Sequence, residues 1–244
     1  MSYLARHLYT GEAAVRYEAL RTTSPVARRI WKREFSVVES IVRSFPARSR
    51  VLDLPCGTGR FHPLLTKYGC ELVGGDISAD MIRQASLKSP RTSSASLLAL
   101  CDAECLPFKD RSFDYVLCMR FFNLVPPETA SAVLKEIGRI SRRGVIVQIR
   151  FRGQRPLRRL ATDLRRAAGS LIRNRFRDGG QSVGQDIPQG VQKRFPLREF
   201  GTFTEMAQLA GLVVRRVYSV SPLLEPDPLS VCVLEHRGGN PERR

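Results

Sequence analysis

Short apolar runs recur through the middle of the chain, and between most of them lie stretches whose apolar positions repeat at helical spacing. The pattern predicts strands at Val51–Leu54, Cys70–Asp76, Ser96–Cys101, Phe113–Met119 and Gly144–Phe151, and helices at Phe61–Tyr68, Ala79–Leu87 and Pro127–Ile140. Runs this apolar are buried on both faces, so the expected fold class is α/β: a mostly parallel sheet with helices on either side. Ligands of such sheets bind beyond the carboxyl ends of the strands.

The pattern changes at both flanks. Residues 1–49 show no strand-like alternation. Ala13–Leu20 and Val26–Val42 read as helices, the second with Ile30, Phe35, Val38, Ile41 and Val42 at helical spacing, Ser24 as its cap and Pro25 in its first turn. We expect a helical lead-in over 1–49, packed on a domain spanning 50–244. Tyr9 and Tyr17 on that lead-in are expected to serve packing rather than a ligand. From about 152 to 196 the strand–helix rhythm stops. Leu157–Arg175 reads as a basic amphipathic helix, which would place Leu157, Leu160, Leu164 and Leu171 on one side and Arg158, Arg159, Arg165, Arg166 and Arg173 on the other. Asp178–Gly190 follows as a polar, glycine-bearing loop, so the stretch reads as a basic helical insert with a lid. A helix at Leu197–Leu209 closed by Gly211, and strands at Leu212–Val220 and Leu229–Glu235, bring the sheet to about seven strands.

A chain of 244 residues with 43% apolar content is long enough to bury a real core. No window approaches the roughly eighteen apolar residues of a membrane span, and Met1–Gly11 lacks the apolar centre of a secretory leader, so a cytoplasmic protein is expected. The six cysteines form no CxxC pair and mostly sit in apolar runs, which speaks for buried free thiols and against zinc or disulfides; no metal is expected. The net charge of +17 invites a polyanionic partner, but only six of the 40 basic residues are lysine, a bias that base composition alone can produce. Distribution says more. Residues 51–150 carry 13 basic and 10 acidic side chains, whereas Arg152–Arg177 carries nine arginines against Asp163 alone.

The candidate chemistry begins at VLDLPCGTGR, residues 51–60, where a strand runs into a glycine turn before a helix. Glycines there let the main chain approach a ligand closely, as nucleotide sites require. A dinucleotide fingerprint would place a third glycine where this chain has His62, and a P-loop would follow its second glycine with Lys and Ser or Thr; neither pattern is met. Instead three acids fall where strands meet the loops above the sheet. They are Asp53, Asp76 in ELVGGDIS and Asp102 in LLALCDAECLPF, and a further strand starts at SFDYVLC. At any one position a strand-end acid can simply cap the next helix, as Asp76 or Asp80 would.

With those motifs in that order, the chain resembles the class I S-adenosylmethionine-dependent methyltransferases of the group with a methyltransferase type 11 domain, strongly over Val51–Phe151 and loosely over the last two strands. The resemblance implies a Rossmann-like fold and S-adenosylmethionine as cofactor. It implies that Asp53, Cys56 and the Gly57–Thr58–Gly59 turn hold the amino acid portion, and that Asp76 accepts both ribose hydroxyls. Ile77 and Met81 would pack near the ribose and adenine, Asp102 and Ala103 would meet the adenine, and Met119 and Arg120 would lie near the methionine end. Cys56 replaces the glycine common just before the glycine turn. The family's frequent histidine after the fourth strand is absent here, where Arg120-Phe121-Phe122-Asn123 stands, and no catalytic base is assigned.

A sulfonium methyl is already electrophilic, so such an enzyme chiefly aligns its acceptor and excludes water. The expected acceptor is a small molecule or a lipid-linked one, methylated on oxygen or carbon. The stretch lacks the Asn/Asp-Pro-Pro-Tyr signature of base and amide methylation, which disfavours nucleic acid; an RNA or protein methyltransferase and a non-catalytic cofactor-binding subunit remain as alternatives. The basic helix at 157–175 either rests peripherally on an anionic membrane surface or is a lid whose arginines are merely solvated. Oligomeric state is left open.

Overall fold

Successive side chains on a strand point to opposite faces of its sheet, and the central strands follow that rule through the core. Val51, Leu72, Leu117, Ile146 and Val231 enter one buried cluster, while their neighbours Leu52, Val73, Val116, Val145 and Cys232 enter the other. The structure, a computed structural model, describes residues 10–21, 24–88, 97–152, 199–220 and 229–238.

Seven strands form one sheet: β1 (Arg50–Asp53), β2 (Glu71–Asp76), β3 (Leu97–Leu100), β4 (Phe113–Cys118), β5 (Ser141–Arg150), β6 (Leu212–Ser219) and β7 (Leu229–His236), in the order β3-β2-β1-β4-β5-β7-β6. β1 to β5 pair in parallel, and β7 runs antiparallel to both β5 and β6. The described helices are α1 (Glu12–Arg21), α2 (Pro25–Val42), α3 (His62–Lys67), α4 (Ala79–Lys88), α5 (Pro127–Ile140) and α6 (Phe200–Leu209). On one face α2 and α3 contribute Val38, Ile41, Val42, Leu64 and Leu65; on the other, α5 and α6 contribute Val133, Leu134, Ile137, Phe203 and Ala207. Each fully buried Val, Leu, Ile or Phe among them contributes about 1.5–3 kcal/mol.

The predicted caps form. Ser24 Oγ accepts the Ala27 N–H at 3.1 Å with Pro25 in the first turn of α2. Gly211, at φ 74°, closes α6 by donating its N–H to the Gln208 carbonyl at 3.0 Å. Two starts differ clearly from the pattern: α6 begins at Phe200 rather than Leu197, with Glu199 as its N-cap, and β5 begins at Ser141 rather than Gly144, directly after α5. Arg142 and Arg143 hide that start from a hydropathy reading, and both approach Asp114, at 4.0 and 3.4 Å. The predicted basic helix at 157–175, the loop at 178–190 and Tyr9 lie outside the described residues.

From β1 the chain moves outward to β2 and β3, then returns to β4 on the other side of β1. The loops after β1 and β4 therefore diverge, and a crevice opens between them at the carboxyl edge of the sheet. Among the described residues no helix is long and apolar enough to cross a membrane.

Candidate functional site

The turn after β1 is built by backbone bonds. Leu54 N–H donates to the Leu117 carbonyl at 2.8 Å, Cys56 N–H to Gly75 at 2.8 Å, and Gly59 N–H to Cys56 at 3.0 Å. Gly57 and Gly59 both hold positive φ, 53° and 71°. Their surroundings differ. A Cβ on Gly57 would meet nothing within 4 Å, whereas one on Gly59 would lie 2.8 Å from His62 Nδ1. Gly57 thus keeps its surroundings open, and Gly59 makes room for a side chain beneath the turn.

Above this turn lies a cleft of about 900 Å³ including the part open to solvent. Of the twelve site residues predicted from the sequence, nine line it: Asp53, Cys56, Gly57, Thr58, Asp76, Ile77, Met81, Met119 and Arg120. Gly59, Asp102 and Ala103 do not. Gly59 turns toward His62; Asp102 Oδ1 accepts the Glu104 N–H at 3.1 Å in a tight turn that bridges to Cys105, and Ala103 is buried in the core.

Asp76 is buried, with Oδ2 accepting the Gly57 N–H at 2.8 Å and Oδ1 the Ser78 N–H at 2.9 Å. The helix-capping role belongs to Ser78, whose Oγ accepts the Met81 N–H at 3.3 Å. Each Asp76 oxygen keeps a lone pair beyond its backbone bond. Burial raises the Asp76 carboxyl above its ordinary value, against the pull of the Ser78 and Gly57 N–H groups. Asp53, 1% exposed, is likewise raised by burial, offset in part by His62 and Arg60. Its Oδ2 has no hydrogen-bond partner among the described residues. Burial pushes the Cys56 thiol up, with Asp53 and Asp76 adding to the rise, so this residue is a thiol and not a nucleophilic thiolate.

The opposite wall rests on Glu34, which is fully buried in α2. Arg60 Nη1 donates to its Oε2 at 2.6 Å and Arg120 Nη2 to the same oxygen at 2.5 Å, while Gln148 Nε2 donates to Oε1 at 2.6 Å. Arg60 also donates to the Trp31 carbonyl at 3.0 Å and stands over the rings of Trp31 and Phe61, 4.6 and 4.7 Å from their centroids. Gln148 Oε1 accepts the backbone N–H of Arg120, which holds a positive φ of 58°. Burial presses the Glu34 carboxyl upward, but Arg120 and Arg60 outweigh it and hold the group below its ordinary range. The network ties α2 to the glycine turn, the end of β4 and β5.

Trp31, Arg60, Phe61, Phe121 and Leu124 line the cleft without having been singled out in the sequence, and Tyr17, read as a packing residue, lines it too. The legible signal was Glu34, an acid at helical spacing among Ile30, Val38 and Ile41 on the apolar face of α2. The N-terminal segment is held from a second side, since Gly11 N–H donates to Asp80 Oδ2 at 2.8 Å. No cluster of residues suited to a metal occurs among the described residues. What the lining offers is two carboxylates at adjacent strand ends, an open glycine, apolar side chains and two guanidinium groups.

A sheet of this order with its cleft at the switch point is the Rossmann-like class I methyltransferase fold. The magnesium protoporphyrin IX methyltransferase (ChlM) of Synechocystis PCC 6803, solved with bound SAH, shares it with a TM-score of 0.68 at 17% sequence identity, over 96% of this chain and 98% of that one. Residues 51–144, from β1 to the start of β5, match the family model described as "Methyltransferase domain". A malonyl-[acyl-carrier protein] O-methyltransferase of Hamiltonella defensa is 30% identical over 53% of this chain and 48% of its own length. A ubiquinone/menaquinone biosynthesis C-methyltransferase (UbiE) of Xanthomonas campestris is 36% identical over 48% of this chain and 46% of its own. The chain thus spans about half the length of these curated relatives.

Proposed function

We propose that this protein is an S-adenosylmethionine-dependent methyltransferase acting on a small-molecule or lipid-linked acceptor, at oxygen or carbon. The observation that carries the reading is the pair of buried carboxylates, Asp53 and Asp76, at the ends of adjacent strands around an open glycine turn. The residues fit the donor chemically. Asp53 has a buried oxygen without a hydrogen-bond partner among the described residues, suited to an ammonium group. Asp76 has one lone pair left on each oxygen, suited to two neighbouring hydroxyls. Ile77 and Met81 supply apolar surface for an adenine ring, and Met119 and Arg120 line the cleft where β4 ends. Asp102 and Ala103 are assigned to the adenine edge on the family resemblance alone.

The donor, when bound, supplies a methyl group on a sulfonium. The chain's part is to hold and shield: Tyr17, Trp31, Phe121 and Leu124 form an apolar wall that excludes water and receives the acceptor. In this reading 1–49 is a helical lead-in packed on a domain spanning 50–244, and its Tyr17 and Trp31 line the cleft. The names of the two curated relatives, one for O-transfer to a carrier-bound malonyl group and one for C-transfer in quinone biosynthesis, support an acceptor other than nucleic acid.

Incubation with radiolabelled S-adenosylmethionine and cell extract tests the proposal, with label expected in the organic phase or in small molecules. Label confined to a nuclease-sensitive or protease-sensitive fraction would overturn it. We further propose that the arginine-rich segment 157–175 associates peripherally with anionic lipid. Three arginines at about 1 kcal/mol each would favour the surface roughly a hundredfold. Equal flotation with anionic and neutral vesicles would exclude that association.

A further inference from the structure

His62 is the side chain that the turn and the neighbouring strand make room for. It is 1% exposed, at the first position of α3, and its ring lies against two glycines. A Cβ on Gly59 would stand 2.8 Å from Nδ1, and a Cβ on Gly74 2.9 Å from Cε1 and Nε2. A glycine inside a strand often marks such a close approach, and Gly74 sits in the middle of β2. The same ring brings Nε2 to 3.5 Å from Asp53 Oδ2. Neither ring nitrogen, nor that carboxylate oxygen, has a hydrogen-bond partner among the described residues. An imidazole placed in an apolar core for packing alone would leave two polar nitrogens buried at a cost, and leucine would fill the space without it. The ring faces the one cleft carboxylate that the backbone leaves under-satisfied.

We propose that His62 is a positioning residue for the donor site: it orients Asp53 and keeps that carboxylate ionised, so that it can receive the ammonium group of the donor's amino acid portion. The inference rests on the reading of the cleft as an S-adenosylmethionine site. Other groups also act on Asp53. Arg60 on the glycine turn stabilises the anion, but its guanidinium is shared with Glu34. Asp76 at the end of β2 disfavours a second negative charge, and the thiols of Cys56 and Cys118 carry none. His62 is therefore the partner of Asp53 with no competing ion pair of its own among the described residues. The test variants act on it alone.

Calorimetric titration of the full chain with S-adenosylhomocysteine, from about pH 5 to about pH 7, reads the effect while the probe's amino group stays protonated. 5′-Methylthioadenosine, which lacks the amino acid portion, is the control. His62→Leu is expected to weaken S-adenosylhomocysteine about tenfold and to move the acid loss of binding to higher pH, with 5′-methylthioadenosine unchanged. His62→Gln, which can still present an N–H toward Asp53, is expected to recover most of the affinity. If His62→Leu binds S-adenosylhomocysteine like the wild type at every pH, or loses both probes equally, the proposal is overturned. A wild-type protein that binds neither probe overturns the donor-site reading itself and this inference with it. A measurement on the wild type stands even if a variant fails to fold. With histidine-selective ¹⁵N labelling, the His62 ring signal is expected to shift on saturation with S-adenosylhomocysteine and not with 5′-methylthioadenosine, and a signal equally unmoved by both contradicts the proposal.

Discussion

Two walls of the same cleft bury carboxylates in opposite ways. On the α2 side, Glu34 is surrounded by Arg60, Arg120 and Gln148, and its charge is met inside the protein. On the strand side, Asp53 keeps an oxygen with no hydrogen-bond partner among the described residues, and burial raises its carboxyl above the ordinary value. A buried charge that is fully paired serves mainly to hold elements together, because removing one partner strands the others. A buried carboxylate left under-satisfied costs stability and is retained where a ligand completes it. The difference separates the cleft's scaffold from the edge we propose for donor binding, although both carboxylates lie close to the same space.

The largest expected effect breaks the first wall. Glu34→Ala leaves two partly buried guanidinium groups without their shared counter-charge and should cost about 3 kcal/mol, read as a lower denaturant midpoint. An unchanged midpoint would collapse the contrast between the walls. Asp53→Asn attacks the second wall and should do the reverse. Stability should move by less than about 1 kcal/mol, since a strained buried charge is removed, while S-adenosylhomocysteine binding weakens about ten- to a hundredfold in calorimetry.

Acid should pull the two carboxylates apart. Asp53, raised above 3.8, takes up a proton in the folded chain before the unfolded chain does. Its contribution to stability therefore grows as the pH falls through its raised value and is complete below 3.8. Glu34, lowered from 4.5, contributes stability that is present above 4.5 and lost as the pH falls through its folded value. Denaturation of the wild type beside Asp53→Asn and Glu34→Gln checks both signs. The Asp53→Asn protein should fall behind the wild type on acidification toward 3.8, and the deficit of Glu34→Gln should shrink only below 4.5. The smallest effect is expected at Trp31→Leu, which removes the ring under Arg60 and should cost about 0.5–1 kcal/mol in the same assay.

Most of the sheet was legible because its strands are apolar on both faces and its turns carry glycine and proline. Pro127–Ile140 appears as a helix at its predicted limits, and β1, β2 and β4 fall within a residue of theirs. The start of β5 was not legible, since Arg142 and Arg143 at its exposed entry look like a loop. At the site, residues contributed by motifs at strand ends were found from local spacing. Trp31, Arg60 and Phe121 were not, because nothing in their immediate neighbours distinguishes a cleft-lining aromatic or arginine from a surface one. His62 was read as the residue that breaks a dinucleotide fingerprint, and nothing in its immediate neighbours points to Asp53.

The sequence by itself determined the order of strands and helices, the glycine turn after β1 and the acids at the strand ends, because hydrophobic period and turn chemistry act over a few residues. Only the tertiary structure decided which acids are satisfied and which are not. Glu34 lies 86 positions from Arg120 and 114 from Gln148, and the rings and carboxylates that meet around Asp53 come from a turn, two strands and a helix. Charge pairing and desolvation depend on distances in space, and those distances exist only once β1 lies between β2 and β4.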